Sequence, residues 1–242
     1  MSAIRIEGLT KRYGGVLAVD NLSLCIEGGE LFSLLGVNGA GKTTTIKMLS
    51  CLTEPTGGDA FLLEKSICKD KADVKSIIAV SPQESAIAAG LTVRENLELI
   101  CGVHGFTKEK RSEKLNELAG LLGLCDLLDR KAGKLSGGYK RRLSIAMALV
   151  SEPKILFLDE PTLGLDVIAR SDLWDVVRSL KGKITIILTT HYMEEAEALS
   201  DRIAIMKDGR LIACDTAENI KKTAGSDNFE EAFVRIVKGV GK

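Results

Sequence analysis

The segment Gly36 to Thr44, with the sequence Gly-Val-Asn-Gly-Ala-Gly-Lys-Thr-Thr, constrains the fold of this chain more than any other. It matches the pattern G-x-x-x-x-G-K-[ST] and directly follows the apolar run 31–35. Glycines let a main chain curl so that its N–H groups surround a phosphate, and a helix start adds its positive dipole end. The order strand, glycine-rich loop, helix therefore predicts an α/β domain with a phosphate-binding loop. An ordinary glycine-rich turn gives the same bare pattern, so the rest of the chain must decide.

Composition excludes several classes of protein. Lysine plus arginine equals aspartate plus glutamate at 33 each, so no basic field is available for nucleic acid. Charges at Arg5 and Glu7 interrupt any secretory core, and no stretch reaches the roughly 20 apolar residues of a membrane helix. The six cysteines contain no C-x-x-C pair and are expected to be reduced core thiols. We therefore expect a cytosolic protein whose association with a membrane depends on a partner.

The pattern of apolar residues predicts one domain over 1–242 with distinct subregions. Alternation over 4–8 and 16–26, broken by glycine pairs, indicates antiparallel strands with Tyr13 in the turn between them. Amphipathic helices follow, the first opening with a capping box formed by Thr92 and Glu95. We expect a phosphate-binding core with its β subdomain over 1–85 and 151–215, a helical subdomain over 86–150 and a helical tail over 216–242.

Two carboxylates end the most apolar strand of the chain. Asp159 and Glu160 follow the run 155–158, and Pro161 prevents the sheet from continuing. Acids in such a buried position are costly unless a partner compensates their charge. Mg²⁺ and a water nucleophile would provide such partners, so we interpret the pair as functional.

Other polar residues follow predicted strands or open a helix. Gln83 follows the strand 77–80 and His191 follows the strand 183–189, where open α/β sheets bind ligands. A solvated glutamine and an ordinary surface histidine are the alternatives. Ser136 is a good N-cap, yet Gly137 and Gly138 behind it each cost helix propensity of about 1 kcal/mol, which favours close approach of a phosphate. The basic residues 140–142 are expected to face solvent.

Taken together, these residues resemble an ATP-binding cassette (ABC) ATPase over nearly the whole chain. The resemblance rests on an aromatic A-loop residue, the Walker A loop, the Q-loop, the signature motif, Walker B, the D-loop and the switch histidine, which correspond in that order to Tyr13, Gly36 to Thr44, Gln83, Leu135 to Gly138, Ile155 to Glu160, Leu163 to Asp166 and His191.

The resemblance implies a P-loop NTPase fold with a RecA-like nucleotide-binding core, an antiparallel β subdomain and a helical signature-motif subdomain. It implies ATP hydrolysis with Mg²⁺, in which Thr43, Gln83 and Asp159 serve the metal and Glu160, His191 and Lys42 are catalytic. The remaining implied contacts to ATP come from Tyr13, Gly36, Val37, Asn38, Gly39, Ala40, Gly41, Lys42, Thr43, Thr44, Gln83, Ser136, Gly137, Gly138 and Asp166.

The resemblance also implies partners. The signature motif of one subunit completes the ATP site of a second, so a head-to-tail dimer and transmembrane permease subunits on the cytoplasmic face of the membrane are expected. The ending 229–237, with no room for the extra regulatory domain of many sugar importers, resembles ABC-2 type multidrug or antibiotic exporter ATPases. An importer ATPase and a soluble ABC ATPase are the alternatives. Tyr139, Leu163 and Val167 depart from the family pattern, and the cargo and the identity of the second subunit stay open.

Overall fold

The computed structural model describes residues 2–239. Its strands are β1 (Ser2–Tyr13), β2 (Val16–Glu27), β3 (Leu31–Leu35), β4 (Gly57–Leu62), β5 (Lys65–Ser66), β6 (Ile78–Ser81), β7 (Ile155–Asp159), β8 (Thr185–Thr190), β9 (Arg202–Lys207) and β10 (Arg210–Asp215). Its α-helices are α1 (Lys42–Leu49), α2 (Lys71–Ile77), α3 (Val93–Val103), α4 (Lys108–Leu121), α5 (Gly137–Leu149), α6 (Val167–Leu180), α7 (Met193–Leu199), α8 (Ala217–Ala224) and α9 (Phe229–Lys238). Residues 240–242 of the predicted tail lie outside the described residues.

A six-stranded sheet in the order β10-β9-β3-β8-β7-β6 forms the centre. Strands β9, β3, β8, β7 and β6 pair in parallel, and the β9–β10 hairpin adds one antiparallel edge strand. Every residue of β3, β7 and β8 is buried, which explains why these segments are nearly continuous apolar runs. Because the strands run in parallel, their carboxyl ends meet at one edge of the sheet.

Helices α3 to α6 pack on one face of this sheet, whereas helix α1 and a second sheet pack on the other. Leu156 and Leu158 of β7 pack into a cluster with residues of α3 to α6, whereas Phe157 packs with α1 and residues of the second sheet. This division follows from the strand period of two, which points successive side chains to opposite faces. The core is therefore layered, with β7 and β8 in its middle.

The second sheet is antiparallel, in the order β2-β1-β4-β5. Its first strand runs to Tyr13, which pairs with Val16, so the turn consists of Gly14 and Gly15 and Tyr13 ends the strand. Shifts of register between β1 and β2 interrupt the alternation, and this explains why the sequence indicated a shorter first strand. Strands β4 and β5 and helix α2 were not predicted at all.

Three cysteines contradict the expectation of core thiols. Cys25, Cys68 and Cys125 are exposed, whereas Cys101 is buried. For Cys25 the reason is its place on the edge strand β2, where alternation buries the next residue, Ile26, and turns Cys25 outward. An apolar neighbour in sequence therefore lies on the opposite face of a half-buried strand. None of the helices within residues 2–239 is long and apolar enough to cross a bilayer.

Candidate active site

A cleft of about 720 Å³ lies at the carboxyl edge of the central sheet. Its lining comes from the glycine-rich loop and α1, the end of the β1–β2 hairpin, the turns after β6, β7 and β8, and the β9–β10 turn. The lining residues are Val16, Leu17, Ala18, Asn38, Gly39, Ala40, Gly41, Lys42, Thr43, Thr44, Gln83, Glu160, Leu163, His191 and Asp208. Ligand sites typically have volumes of ~300–1,000 Å³, so the cleft is large enough for a nucleotide.

The loop from Gly36 to Gly41 has the shape of a phosphate cradle. A Cβ atom on Gly36 would lie 2.5 Å from the carbonyl oxygen of Met206, and one on Gly41 would lie 2.5 Å from that of Ala18. Gly39 and Gly41 also adopt φ values of +84° and +100°, which L side chains rarely reach. Helix α1 starts at Lys42 with no side-chain cap on its first N–H groups. These donors are therefore available to an anion.

Lys42 reaches back over the loop that precedes it. Its Nζ donates to the carbonyl oxygens of Gly36 at 2.8 Å and Val37 at 3.3 Å, and the residue is only 5% exposed. The same Nζ lies 3.4 Å from Glu160 Oε1. A fixed cation therefore stands between the phosphate loop and the end of β7.

Glu160 is held from both sides. Its second oxygen, Oε2, lies 2.7 Å from His191 Nδ1, and the residue is 8% exposed. Its backbone φ of +46° is unusual for a residue other than glycine and turns the chain sharply away from β7. The structure thus brings together Lys42, Glu160 and His191, the three side chains predicted to be catalytic.

Asp159 lies one residue earlier and forms hydrogen bonds with two hydroxyl groups. Thr43 Oγ1 donates to Asp159 Oδ1 at 3.1 Å, and Thr189 Oγ1 donates to the same oxygen at 2.5 Å. Gln83 lines the same cleft. Hydroxyl, carboxylate and amide oxygens are the hard ligands that Mg²⁺ takes, so the donor set of Thr43, Asp159 and Gln83 fits this metal.

The signature residues lie outside the cleft lining. Ser136 caps α5 by position, but its side chain makes no capping hydrogen bond. A Cβ atom on Gly138 would lie 3.0 Å from the Cβ of Ala169, and one on Gly137 would lie 3.3 Å from Leu165 Cδ2. Close packing of α5 on α6 and the loop before it is therefore one reason for these glycines. Asp166 caps α6 by accepting a hydrogen bond from the N–H of Ala169 at 2.9 Å.

Tyr13 also lies outside the cleft lining. It is 46% exposed, and the ammonium group of Lys11 lies over its ring, 4.9 Å from the centroid. The hairpin instead contributes Val16, Leu17 and Ala18 to the cleft.

Three buried polar residues were missed or misassigned from the sequence. Thr189 contacts Asp159, and its position before His191 at a strand end could have indicated this. Arg141 was expected to face solvent, which is wrong because it is 5% exposed. Glu195 was expected on an exposed helix, yet it is fully buried and accepts a hydrogen bond from Trp174 Nε1 at 3.0 Å. Helical spacing could have found both, because Arg141 follows buried Gly138 by three residues and Glu195 precedes buried Leu199 by four.

Fold and cleft together define a P-loop ATPase. Residues 19–163 match the ABC transporter family. The chain therefore belongs to the ABC transporter family, as an ATP-binding protein with ATP hydrolase chemistry, and the predictions of family, fold class and enzyme class are confirmed.

Relatives and solved structures agree with this assignment. The chain is 42% identical over 226 residues to the daunorubicin/doxorubicin resistance ATP-binding protein DrrA of Streptomyces peucetius, covering 93% of this chain and 68% of that protein. It is 40% identical over 239 residues to the doxorubicin resistance ATP-binding protein DrrA of Mycobacterium tuberculosis, covering 98% of this chain and 72% of that protein. It also superposes on an ATP-binding subunit of an ABC transporter with a TM-score of 0.85 and 27% identity, covering 97% of this chain and 99% of that one.

Proposed function

We propose that this protein is the ATP-hydrolysing subunit of a membrane exporter of the ABC-2 type. The observation that carries the hydrolytic part is the position of Glu160, held between Lys42 Nζ and His191 Nδ1 at the phosphate loop. The exporter part is supported by the relatives, which are drug-resistance ATP-binding proteins. Nothing in the comparisons favours the importer or the soluble ATPase over this proposal.

In this proposal the cleft binds ATP with its phosphates in the cradle of residues 36–44. The uncapped N–H groups of α1 and the ammonium group of Lys42 offset the phosphate charge. The base lies toward Val16, Leu17 and Ala18, and Tyr13 stacks on it. The half-exposed ring of Tyr13 stands three residues before Val16, at the strand end nearest the cleft.

Mg²⁺ fits the oxygen donors of Thr43, Gln83 and Asp159. When bound, it would neutralise phosphate charge during phosphoryl transfer. Asp159 is prepared for this role by its two hydroxyl donors, which fix its carboxylate in a buried site.

Hydrolysis needs a group that orients and deprotonates water, and Glu160 is the candidate. Its carboxylate is desolvated, and contacts on both oxygens fix its direction. His191 holds Glu160 Oε2 and positions the γ-phosphate, while Lys42 stabilises the charge that develops on the transferred group.

The active unit in this proposal is a head-to-tail dimer with a second copy or a similar subunit. Ser136, Gly137 and Gly138 lie outside their own cleft, and α5 presents an uncapped N-terminus that suits the ATP of the partner. Asp166 approaches the dimer interface with the loop before α6.

The permease binds near Gln83 and the helices that follow, which keeps the protein at the cytoplasmic face of the membrane. Residues 1–242 act as one domain, with the subregions given above.

The test is steady-state ATP hydrolysis by the purified protein with Mg²⁺. Glu160→Gln should lower kcat by about 10²- to 10⁴-fold, the usual contribution of a general base. Glu194→Gln is the matched control, because Glu194 is an exposed carboxylate three residues beyond His191.

Light scattering should show an ATP-dependent dimer of Glu160→Gln. A strictly monomeric variant with bound ATP would contradict the dimer.

The exporter assignment is tested by purification from mild detergent with a tag on this chain. A polytopic membrane protein in a similar amount would support it, and the topology of that protein separates exporter from importer. Recovery with ribosomes, nucleic acid or cluster-assembly proteins alone would refute the transport role.

A further inference from the structure

Arg141 lies in the interior between the signature helix and the catalytic edge. Its guanidinium donates to three main-chain carbonyl oxygens, those of Pro82 at 2.5 Å, Gln83 at 2.6 Å and Glu160 at 3.4 Å. The residue is 5% exposed although it lies only three residues after Gly138. One side chain of α5 therefore contacts both the turn after β6 and the turn after β7.

Such a group is expensive to bury. Desolvation lowers the pKa of Arg141, while the nearby charges of Asp159 and Glu195 act in the opposite direction. The guanidinium nevertheless keeps its proton, because arginine is effectively always charged in proteins. Replacing Arg141 by an apolar residue would leave the carbonyl oxygens of Pro82, Gln83 and Glu160 without this donor, and a buried acceptor left unpaired is costly. Its donors therefore point to a role in positioning the two turns.

The loop that Arg141 contacts after β6 needs support from outside itself. The segment 82–91 between β6 and α3 contains no helix or strand. Helix α5 also contacts the end of β6, just before this segment, because Ser81 Oγ and Ser144 Oγ lie 3.0 Å apart. Arg141 lies one turn earlier on α5 and continues this contact to Pro82 and Gln83. The turn that carries Gln83 is therefore docked on the signature helix.

We propose that Arg141 is a positioning residue for ATP hydrolysis, which holds the main chains of Gln83 and Glu160 in register with the signature helix. This inference rests on the proposed roles of Gln83 and Glu160. Through Arg141, a displacement of α5 changes the places of the Mg²⁺-binding amide and of the general base together. Arg141 is not among the residues that line the cleft, and it acts through the carbonyl oxygens of Gln83 and Glu160.

The geometry also explains why a guanidinium is required. Arginine offers five N–H donors in a rigid planar fork, and here two of its nitrogens serve three acceptors. A lysine side chain keeps the charge, but its single nitrogen cannot donate to the turn after β6 and the turn after β7 in the way that the guanidinium does. Arg141→Lys should therefore preserve folding better than it preserves hydrolysis.

The experiment compares Arg141→Gln and Arg141→Lys with the wild type, and Lys140→Gln serves as a control for loss of charge on α5. Steady-state kinetics give kcat and KM for ATP, and calorimetry gives the ATP affinity with and without Mg²⁺. Arg141→Gln should lower kcat by about 10- to 100-fold, the scale of a misplacement of ~1 Å. Its Mg²⁺-free ATP affinity should stay near the wild-type value, and the gain in affinity on adding Mg²⁺ should shrink. The kcat of Arg141→Lys should lie between those of Arg141→Gln and the wild type. The kcat and ATP affinities of Lys140→Gln should match those of the wild type.

Several outcomes would overturn the inference. Wild-type kcat in Arg141→Gln would do so, and so would equal losses of Mg²⁺-free binding and kcat in both variants, since these indicate general unfolding. If Arg141→Gln does not fold, Arg141→Lys must show the same separation of kcat from Mg²⁺-free affinity, and its absence refutes the role. A wild-type protein that does not hydrolyse ATP would refute the proposed function itself. Normal wild-type hydrolysis with unchanged variants refutes only the role of Arg141.

Discussion

Thr189 offers the sharpest test of how the two carboxylates are fixed. The residue is fully buried at the end of β8. Its hydroxyl donates to Asp159 Oδ1 at 2.5 Å and accepts from the Glu160 N–H at 3.0 Å. Thr189→Val keeps the β-branched shape and removes only this hydroxyl. The substitution therefore perturbs Asp159 and Glu160 without deleting a charge.

The structure sets the size of the effect. A hydrogen bond to a charged group contributes about 1.5–3 kcal/mol. The Glu160 N–H keeps a second acceptor, the carbonyl oxygen of Thr189 at 3.1 Å, so no donor is orphaned. At about 2–4 °C per kcal/mol for a chain of this size, Tm should fall by about 3–12 °C. If the same free energy is lost in the transition state, kcat should fall by about 10- to 150-fold.

Circular dichroism gives Tm, and a coupled phosphate-release assay gives kcat. Thr189→Ser is the control, because it keeps the hydroxyl and loses one methyl group, which costs about 0.8 kcal/mol. We expect the serine variant to lose stability yet to hydrolyse ATP close to the wild-type rate. A valine variant with wild-type kcat, or a serine variant as slow as the valine variant, would refute the positioning role of this hydroxyl.

Two further predictions test burial and steric constraint. Burial raises the pKa of Glu195 above its ordinary value of 4.5, against the opposing effects of the nearby hydroxyl groups of Thr190 and Thr162, of its donor Trp174 and of the Arg170 charge. Its contribution to the free energy of unfolding is therefore greatest below pH 4.5 and falls as pH rises through the folded-state pKa. Glu195→Gln should therefore gain stability relative to the wild type between pH 5 and pH 8 in denaturant titrations, and an unchanged difference would contradict a raised pKa. Gly41→Ala should abolish ATP binding in calorimetry because its Cβ would lie 2.5 Å from the Ala18 carbonyl oxygen, whereas Gly39→Ala, with nothing within 4 Å, should bind more weakly but measurably.

The sequence predicted local features well because their signals are local. The capping box of Thr92 and Glu95 forms as predicted, with hydrogen bonds in both directions. The hairpin with its turn at Asp208 also forms, since this turn chemistry depends on two residues. The buried strand before Asp159 was clear because a parallel strand covered on both faces is apolar throughout.

What the sequence missed depends on tertiary contacts. Strand β4 contains Gly57 and Gly58, which suggest a turn, yet it pairs with β1 over residues distant in sequence. Arg141 carries a charge that favours the surface, and only the approach of the turns after β6 and β7 supplies its acceptors. Tyr13 follows the family pattern, but its position outside the cleft lining depends on how the β1–β2 hairpin packs.

Glu160 shows how these contacts converge on one residue. Its N–H donates to β8 at Thr189, and its carbonyl oxygen accepts from Arg141 on α5. Its two carboxylate oxygens face Lys42 of the phosphate loop and His191 of the turn after β8. A left-handed backbone costs about 1–2 kcal/mol in a residue with a Cβ atom, and it persists only where surrounding contacts fix it. Because each contact comes from a different segment, a movement of α5 and a movement of the His191 turn both alter the direction of the same carboxylate, which makes Glu160 the point at which the proposed partner contacts can control hydrolysis.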